Sequence, residues 1–138
     1  MRVVKVFIPH RLDGLNDYIK AMNKHWSAGN DMKKINTEIA AFYFKRLLPL
    51  ETPVSIRFDF FEPNAKRDPD NIISAKKFIL DGMQVRGANG VKFLPNDNQK
   101  WIKHIEDSWS VVTRSDEVGV LVTIKEWEEN KNDVGSDS

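Results

Sequence analysis

The run Glu62-Pro63-Asn64-Ala65-Lys66-Arg67-Asp68-Pro69-Asp70-Asn71 is the densest polar stretch of the chain and holds the spacing best suited to chemistry. Asp68 and Asp70 stand two residues apart, and Pro69 biases Asp68 towards an extended backbone, so both carboxylates can project to one side. Hard oxygen ligands that leave room for water are what Mg²⁺ requires, and in phosphoryl chemistry a substrate phosphate commonly completes such a site. The same Asp-Pro-Asp-Asn run is also good helix-start chemistry, with a capping side chain and acidic groups near the positive end of a helix.

Two further features bear on the aspartates. On a helical wheel Asp70, Ser74, Lys77 and Asp81 fall on one side, opposite Ile72, Ile79 and Met83, so Lys77 can reach back towards the carboxylates. A further acid, Asp97, follows in Pro95-Asn96-Asp97-Asn98, a run that is equally strong turn composition. Other candidates carry less. His10, His25 and His104 lack zinc-type spacing. Gly87 and Gly90 leave a helix instead of opening one, so no nucleotide-cofactor loop is expected. Trp101 and Trp109 lie at strand spacing and read as core.

The elements that must position these residues follow from periodicity. Alternation with period two predicts strands at Val4-Val6-Ile8, at Val54-Ile56-Phe58-Phe60, at Trp101-Ile105-Trp109-Val111 and at Val118-Val120-Val122-Ile124. A helix is expected from Leu15 to Lys24. A second should begin at Asp31 as N-cap, carry Met32, Ile35, Ile39, Phe42 and Leu47 on its apolar stripe and stop before Pro49. A third should run from Asp70 or Asn71 to about Val85. The order β-α-α-β-α-β-β has one tight hairpin candidate, between the last two strands around Arg114-Ser115-Asp116-Glu117. The expected fold is α+β, mixed α/β in character: a single domain with a mixed four-stranded sheet and helices packed against it.

The 138 residues, 41% hydrophobic and 30% charged, suit one globular domain. The absence of cysteine excludes a disulfide framework, a thiolate metal site and a cysteine nucleophile, and it fits a cytoplasmic setting. The first apolar run, Val3 to Ile8, is too short for a signal peptide or a membrane span, so no membrane partner is expected. Residues 1–125 hold 20 Lys and Arg against 15 Asp and Glu, whereas residues 126–138 hold one lysine against five acids. The expectation is therefore a mildly basic folded body, 1–125, followed by an acidic, disordered tail, 126–138.

The ordered pattern Arg67-Asp68-Pro69-Asp70-Asn71, then Lys77-Phe78-Ile79-Leu80-Asp81-Gly82-Met83, then Gly90-Val91 and Asn96-Asp97, resembles the RusA-type Holliday junction resolvases, particularly their phage and prophage members. The resemblance spans roughly residues 54–125. It implies a homodimeric endonuclease, dependent on Mg²⁺ or Mn²⁺, that resolves four-way DNA junctions by paired nicks. By the same resemblance Asp68, Asp70 and Asp97 are the metal-binding and catalytic acids and Lys77 is the catalytic lysine; Lys66, Arg67 and Lys76 are separately expected as cations along the DNA backbone. The wheel directs Lys76 into the arc of Ile72, Ile79 and Met83, so Lys77 is the better placed of the two lysines. Two departures stand out: Asn96-Asp97 where many members have Asp-Asp, and Ser74 where many carry their lysine. A nuclease for other branched DNA or RNA and a non-catalytic junction-binding protein are the rival readings.

Overall fold

The computed structural model describes residues 1–128. In chain order the elements are β1 (Val3–Pro9), α1 (Leu15–Lys24), α2 (Trp26–Phe44), β2 (Val54–Glu62), α3 (Pro69–Ile73), α4 (Lys76–Met83), β3 (Ile102–Val111) and β4 (Gly119–Glu126). The strands form one mixed sheet in the order β1-β4-β2-β3. β4 runs antiparallel to both β1 and β2, and β3 runs parallel to β2. This is the α+β architecture expected from the periodicity. Alternate residues Val54, Ile56, Phe58 and Phe60 of β2, Val6 and Ile8 of β1, and Val120, Val122 and Ile124 of β4 are buried. They share one core with Ala40 and Phe44 of α2 and with Phe78, Ile79 and Met83 of α4.

The structure departs from the sequence expectations at six places. β3 and β4 are not neighbours, so no hairpin joins them; residues 115–117 form a single 3₁₀ turn on a connection that carries the chain past β2. The reason is the β2-α3-α4-β3 unit, whose helical crossover sets β3 parallel on the outer edge of β2 and leaves the other edge for β4. α2 starts at Trp26 and not at Asp31, because the His25 ring accepts the Ser27 N–H at 3.1 Å and caps the helix there. Of its expected apolar stripe Ile35, Ile39 and Phe42 are exposed, Met32 is half-buried and Leu47, past the helix end, packs against the core, and Gly29, Asn36, Ala40, Ala41 and Phe44 are the buried positions of the helix instead. Close packing on α4 decides this: a Cβ on Gly82 would lie 2.7 Å from the Ala40 Cβ and 2.8 Å from the Ala41 nitrogen, so only a small-residue seam fits.

The expected third helix is split into α3 and α4. The N–H groups of Ala75, Lys77 and Phe78 bond three residues back, at 3.1–3.3 Å, so the chain tightens into a 3₁₀ turn around Ser74 and Ala75. Two residues wound at 120° instead of 100° turn α4 by about 40° from a continuous wheel. Trp109, expected in the core, is 49% exposed on the edge strand β3. Finally, Glu126 pairs with Val54 and the Trp127 N–H bonds the Pro53 carbonyl at 2.8 Å, so the folded body extends past residue 125. The expected tail otherwise lies, from residue 129, outside the described residues. Among the described residues no helix is long and apolar enough to cross a membrane.

Candidate active site

The connection from β2 to α3 is built around a buried carboxylate. Glu62 continues the inward-facing alternation of β2, and its side chain is 5% exposed. A carboxylate held there needs a cation, and Arg67 supplies it through two parallel bonds of 2.8 Å from Nε and Nη2. Arg67 Nη1 also donates to the Leu12 carbonyl at 3.2 Å, and Arg11 stands 3.8 Å from Glu62 on the other side. Arg67, expected along the DNA, is 11% exposed, and its guanidinium is engaged by Glu62 and the Leu12 carbonyl. The period-two pattern of β2, extended one step to Glu62, was the signal for this pairing.

Asp68 is extended (φ −70°, ψ 153°), as Pro69 demands, and stands at the N-cap of α3 with no side-chain capping bond. Asp70 lies in the first turn. Both side chains are exposed, and among the described residues neither is engaged by a hydrogen bond or an ion pair. Lys66, immediately upstream, is exposed as well. Asn71 and Ser74 have a different task. The Asn71 Oδ1 accepts the Asn16 N–H at 2.9 Å and the Ser74 Oγ accepts the Leu15 N–H at 2.8 Å, satisfying two orphan donors at the start of α1. Ser74 also donates to the Asn71 carbonyl at 2.7 Å. A hydroxyl therefore suits position 74, where the resembling family often has lysine.

Lys77 and Asp97 are the two expected site residues that the fold brings together. Lys77 Nζ lies 2.8 Å from Asp81 Oδ1 and 3.6 Å from Asp97 Oδ2. The hydrogen bond to Asp81, opposed by burial and reinforced by the charges of Asp81 and Asp97, holds the Lys77 ammonium above its ordinary range. Lys77 is thus a fixed cation at neutral pH. Lys76, expected along the DNA, is engaged elsewhere: its Nζ lies 2.7 Å from Asp107 Oδ2, tying α4 to β3. The 3₁₀ turn explains this, since it swings Lys76 out of the apolar arc and towards the sheet. The other oxygen of Asp107, Oδ1, is buried without a hydrogen-bond partner.

Among the described residues no group of three or more acids or histidines stands close enough to hold a metal ion. The expected set of Asp68, Asp70 and Asp97 is therefore not assembled: Asp97 stands 3.6 Å from Lys77 Nζ on α4, whereas Asp68 and Asp70 open α3. The Asp68–Asp70 pair does fit a divalent cation. It offers hard carboxylate oxygens with no competing donor and open space for water and phosphate, which is how Mg²⁺ is usually held. Asp68, Asn64 and Pro69 line an open groove of about 250 Å³ together with Trp109, Ser110 and Val111. Trp109 is the contributor that sequence reasoning missed, because strand spacing alone does not reveal that β3 is an edge.

No protein-family model matches the chain, and no curated protein matches it significantly.

Proposed function

We propose that this chain is a metal-dependent endodeoxyribonuclease that cuts branched DNA, with the four-way junction as its substrate and Mg²⁺ or Mn²⁺ as its ion. The observation that carries the reading is the pair Asp68 and Asp70: two exposed carboxylates without partners, flanking a proline and anchored by the buried Glu62–Arg67 clamp. Uncompensated acids beside a basic side chain are poor equipment for merely binding a polyanion, but they suit an ion shared with a phosphate. The ion would supply Lewis acidity and a water of lowered pKa at the scissile phosphate.

The chain's own residues do the rest. Asp68 and Asp70 hold and orient the ion, and the Glu62–Arg67 clamp keeps Asp68 in its extended conformation. Lys66 docks the adjoining phosphate. Lys77, a cation at neutral pH on the helix that follows the acids, steadies the backbone beyond the cut. The exposed indole of Trp109, across the groove from Asp68, offers a face on which an unpaired base at the branch point can stack. Two copies related by a two-fold axis would place two such sites on the two equivalent strands of a junction, giving paired nicks. The setting is the bacterial cytoplasm, and the resemblance adds a phage or prophage origin.

The test is incubation with end-labelled four-way, forked and linear duplexes and RNA, with Mg²⁺ or chelator, followed by mapping of the cuts. Symmetric Mg²⁺-dependent nicks in the four-way substrate support the reading. Cuts confined to forks or RNA would replace the substrate, and tight junction binding without cutting would leave a binding protein.

A further inference from the structure

A small cavity opens where α1, α2 and the 3₁₀ turn before α4 meet. Its volume is about 190 Å³; Leu15, Tyr18 and Phe78 supply its apolar surface, and Lys33, Ser74 and Lys77 its polar atoms. The cavity is pre-formed, because α1 is fastened to the segment that bounds it: the Leu15 N–H donates to Ser74 Oγ at 2.8 Å and the Asn16 N–H to Asn71 Oδ1 at 2.9 Å. Leu15 and Tyr18, three residues apart, then share one face of α1. The cavity has no lining residue in common with the groove beside Trp109.

The charges around it are uneven. Lys77 Nζ is already held by Asp81 at 2.8 Å and by Asp97 at 3.6 Å. Lys33 is exposed and has no ion-pair partner among the described residues. One uncommitted cation therefore stands beside an apolar recess. The recess is smaller than the ~300 Å³ at which cavities begin to enclose a drug-sized ligand, so it takes one ring system and not a whole cofactor.

We infer that this cavity receives one unpaired base of a DNA strand, stacked on the Tyr18 ring, with Lys33 on an adjoining phosphate. A flat uncharged ring that carries an anion beside it matches the recess and its cation together, whereas an apolar side chain of a protein partner would leave Lys33 unanswered. Because the base is neutral, Asp81 and Asp97 do not oppose it. The path of the strand rests on the nuclease reading, which sets a phosphate at Asp68 and Asp70. From Asp70 the chain leads to Ser74, whose N–H bonds the Asp70 carbonyl at 3.2 Å, and from Ser74 to Lys77, whose N–H bonds the Ser74 carbonyl at 3.3 Å. A strand that leaves the acids along this line passes the mouth of the cavity. A fully paired duplex has no base to give, so the cavity favours DNA whose pairing is interrupted.

The experiment uses the full chain in chelator, so that nothing is cut, and a thymidine strand carrying a single 5-iodouracil as probe. Cross-links formed on irradiation are mapped by mass spectrometry, affinity is measured against salt concentration, and circular dichroism confirms that each variant is folded. The expected cross-link is to Tyr18, and it should vanish when the probe base is paired in a duplex. Tyr18→Leu should weaken binding of the strand by about 10-fold through the lost stacking. Lys33→Ala should lower the slope of log K against log salt by about 0.7, one single-strand phosphate contact. Lys34→Ala should leave it unchanged, because that side chain stands about 100° further around α2 and does not line the cavity. Cross-links that avoid Tyr18, a Tyr18→Leu chain that binds the strand like the wild type, or equal loss of slope in the two lysine variants overturns the inference. Junction cleavage in Mg²⁺, assayed in parallel, keeps the two proposals apart. A chain that cross-links through Tyr18 and cuts nothing removes only the nuclease reading, and a junction nuclease that never cross-links there removes only this one.

Discussion

Replacing Arg67 by Gln separates two accounts of the residue next to the candidate metal-binding pair of acids. In the structure its guanidinium makes two 2.8 Å bonds to a Glu62 carboxylate that is 5% exposed, with Arg11 at 3.8 Å as the other cation. Removing one partner of a buried pair strands the other, at a cost of about 3–5 kcal/mol; Arg11 is half exposed and keeps the loss near the lower figure. For a domain of this size about 3 kcal/mol corresponds to a fall in Tm of about 10 °C. Glu62→Gln retains the shape and loses the charge, which costs about 1.5–3 kcal/mol. Because both changes remove the same interaction, the double variant should be less destabilised than the sum by about 2 kcal/mol. Urea unfolding measures all four proteins, and junction affinity against salt concentration measures the other account. If Arg67→Gln leaves stability intact and flattens the salt dependence by about one phosphate contact, Arg67 is a DNA ligand and the clamp reasoning is wrong.

The remaining expectations concern the charges around the groove. In Mn²⁺ titrations followed by water-proton relaxation, Asp68→Asn and Asp70→Asn should each abolish binding while Asp97→Asn retains it, because Asp97 is held by Lys77; equal losses in all three would restore the three-acid site. Lys66→Ala should lower the slope of log K against log salt by about 0.9, whereas Lys76→Ala should leave the slope unchanged and destabilise the fold by about 1–3 kcal/mol by stranding Asp107. Lys77 has a raised pKa, so its ion pairs are fully present below the unfolded value of about 10.4 and are lost only as pH rises through the higher folded value. A break in the cleavage rate between about pH 6 and 9 that disappears in Lys77→Ala would contradict that assignment.

Much of the fold was legible because burial imposes parity on strands. Val54, Ile56, Phe58 and Phe60 announce an inward face that the structure keeps. Parity does not say which strands are neighbours, so the insertion of β4 between β1 and β2 was hidden. The direction of α2 was misjudged because size was weighed above fit: Ile35, Ile39 and Phe42 make the more hydrophobic face, but only Ala40 and Ala41 allow Gly82 to approach. At the site, Asp68 and Asp70 were readable from Pro69 and the helix start. Lys76 was not, because nothing at Ser74-Ala75 marks a change of winding, and a turn of about 40° there reassigns every side chain that follows. Arg67 lay beside the acids in sequence, but its partner was set by the strand before it.

The most direct measurement of the central claim is single-turnover cleavage of a labelled four-way junction by the wild-type chain and by Asp68→Asn and Asp70→Asn, with junction affinity measured on the same preparations. The account predicts Mg²⁺-dependent paired nicks that fall by about 100-fold or more in either variant while affinity changes by less than about 3-fold. Cleavage that persists in both variants or in chelator contradicts it.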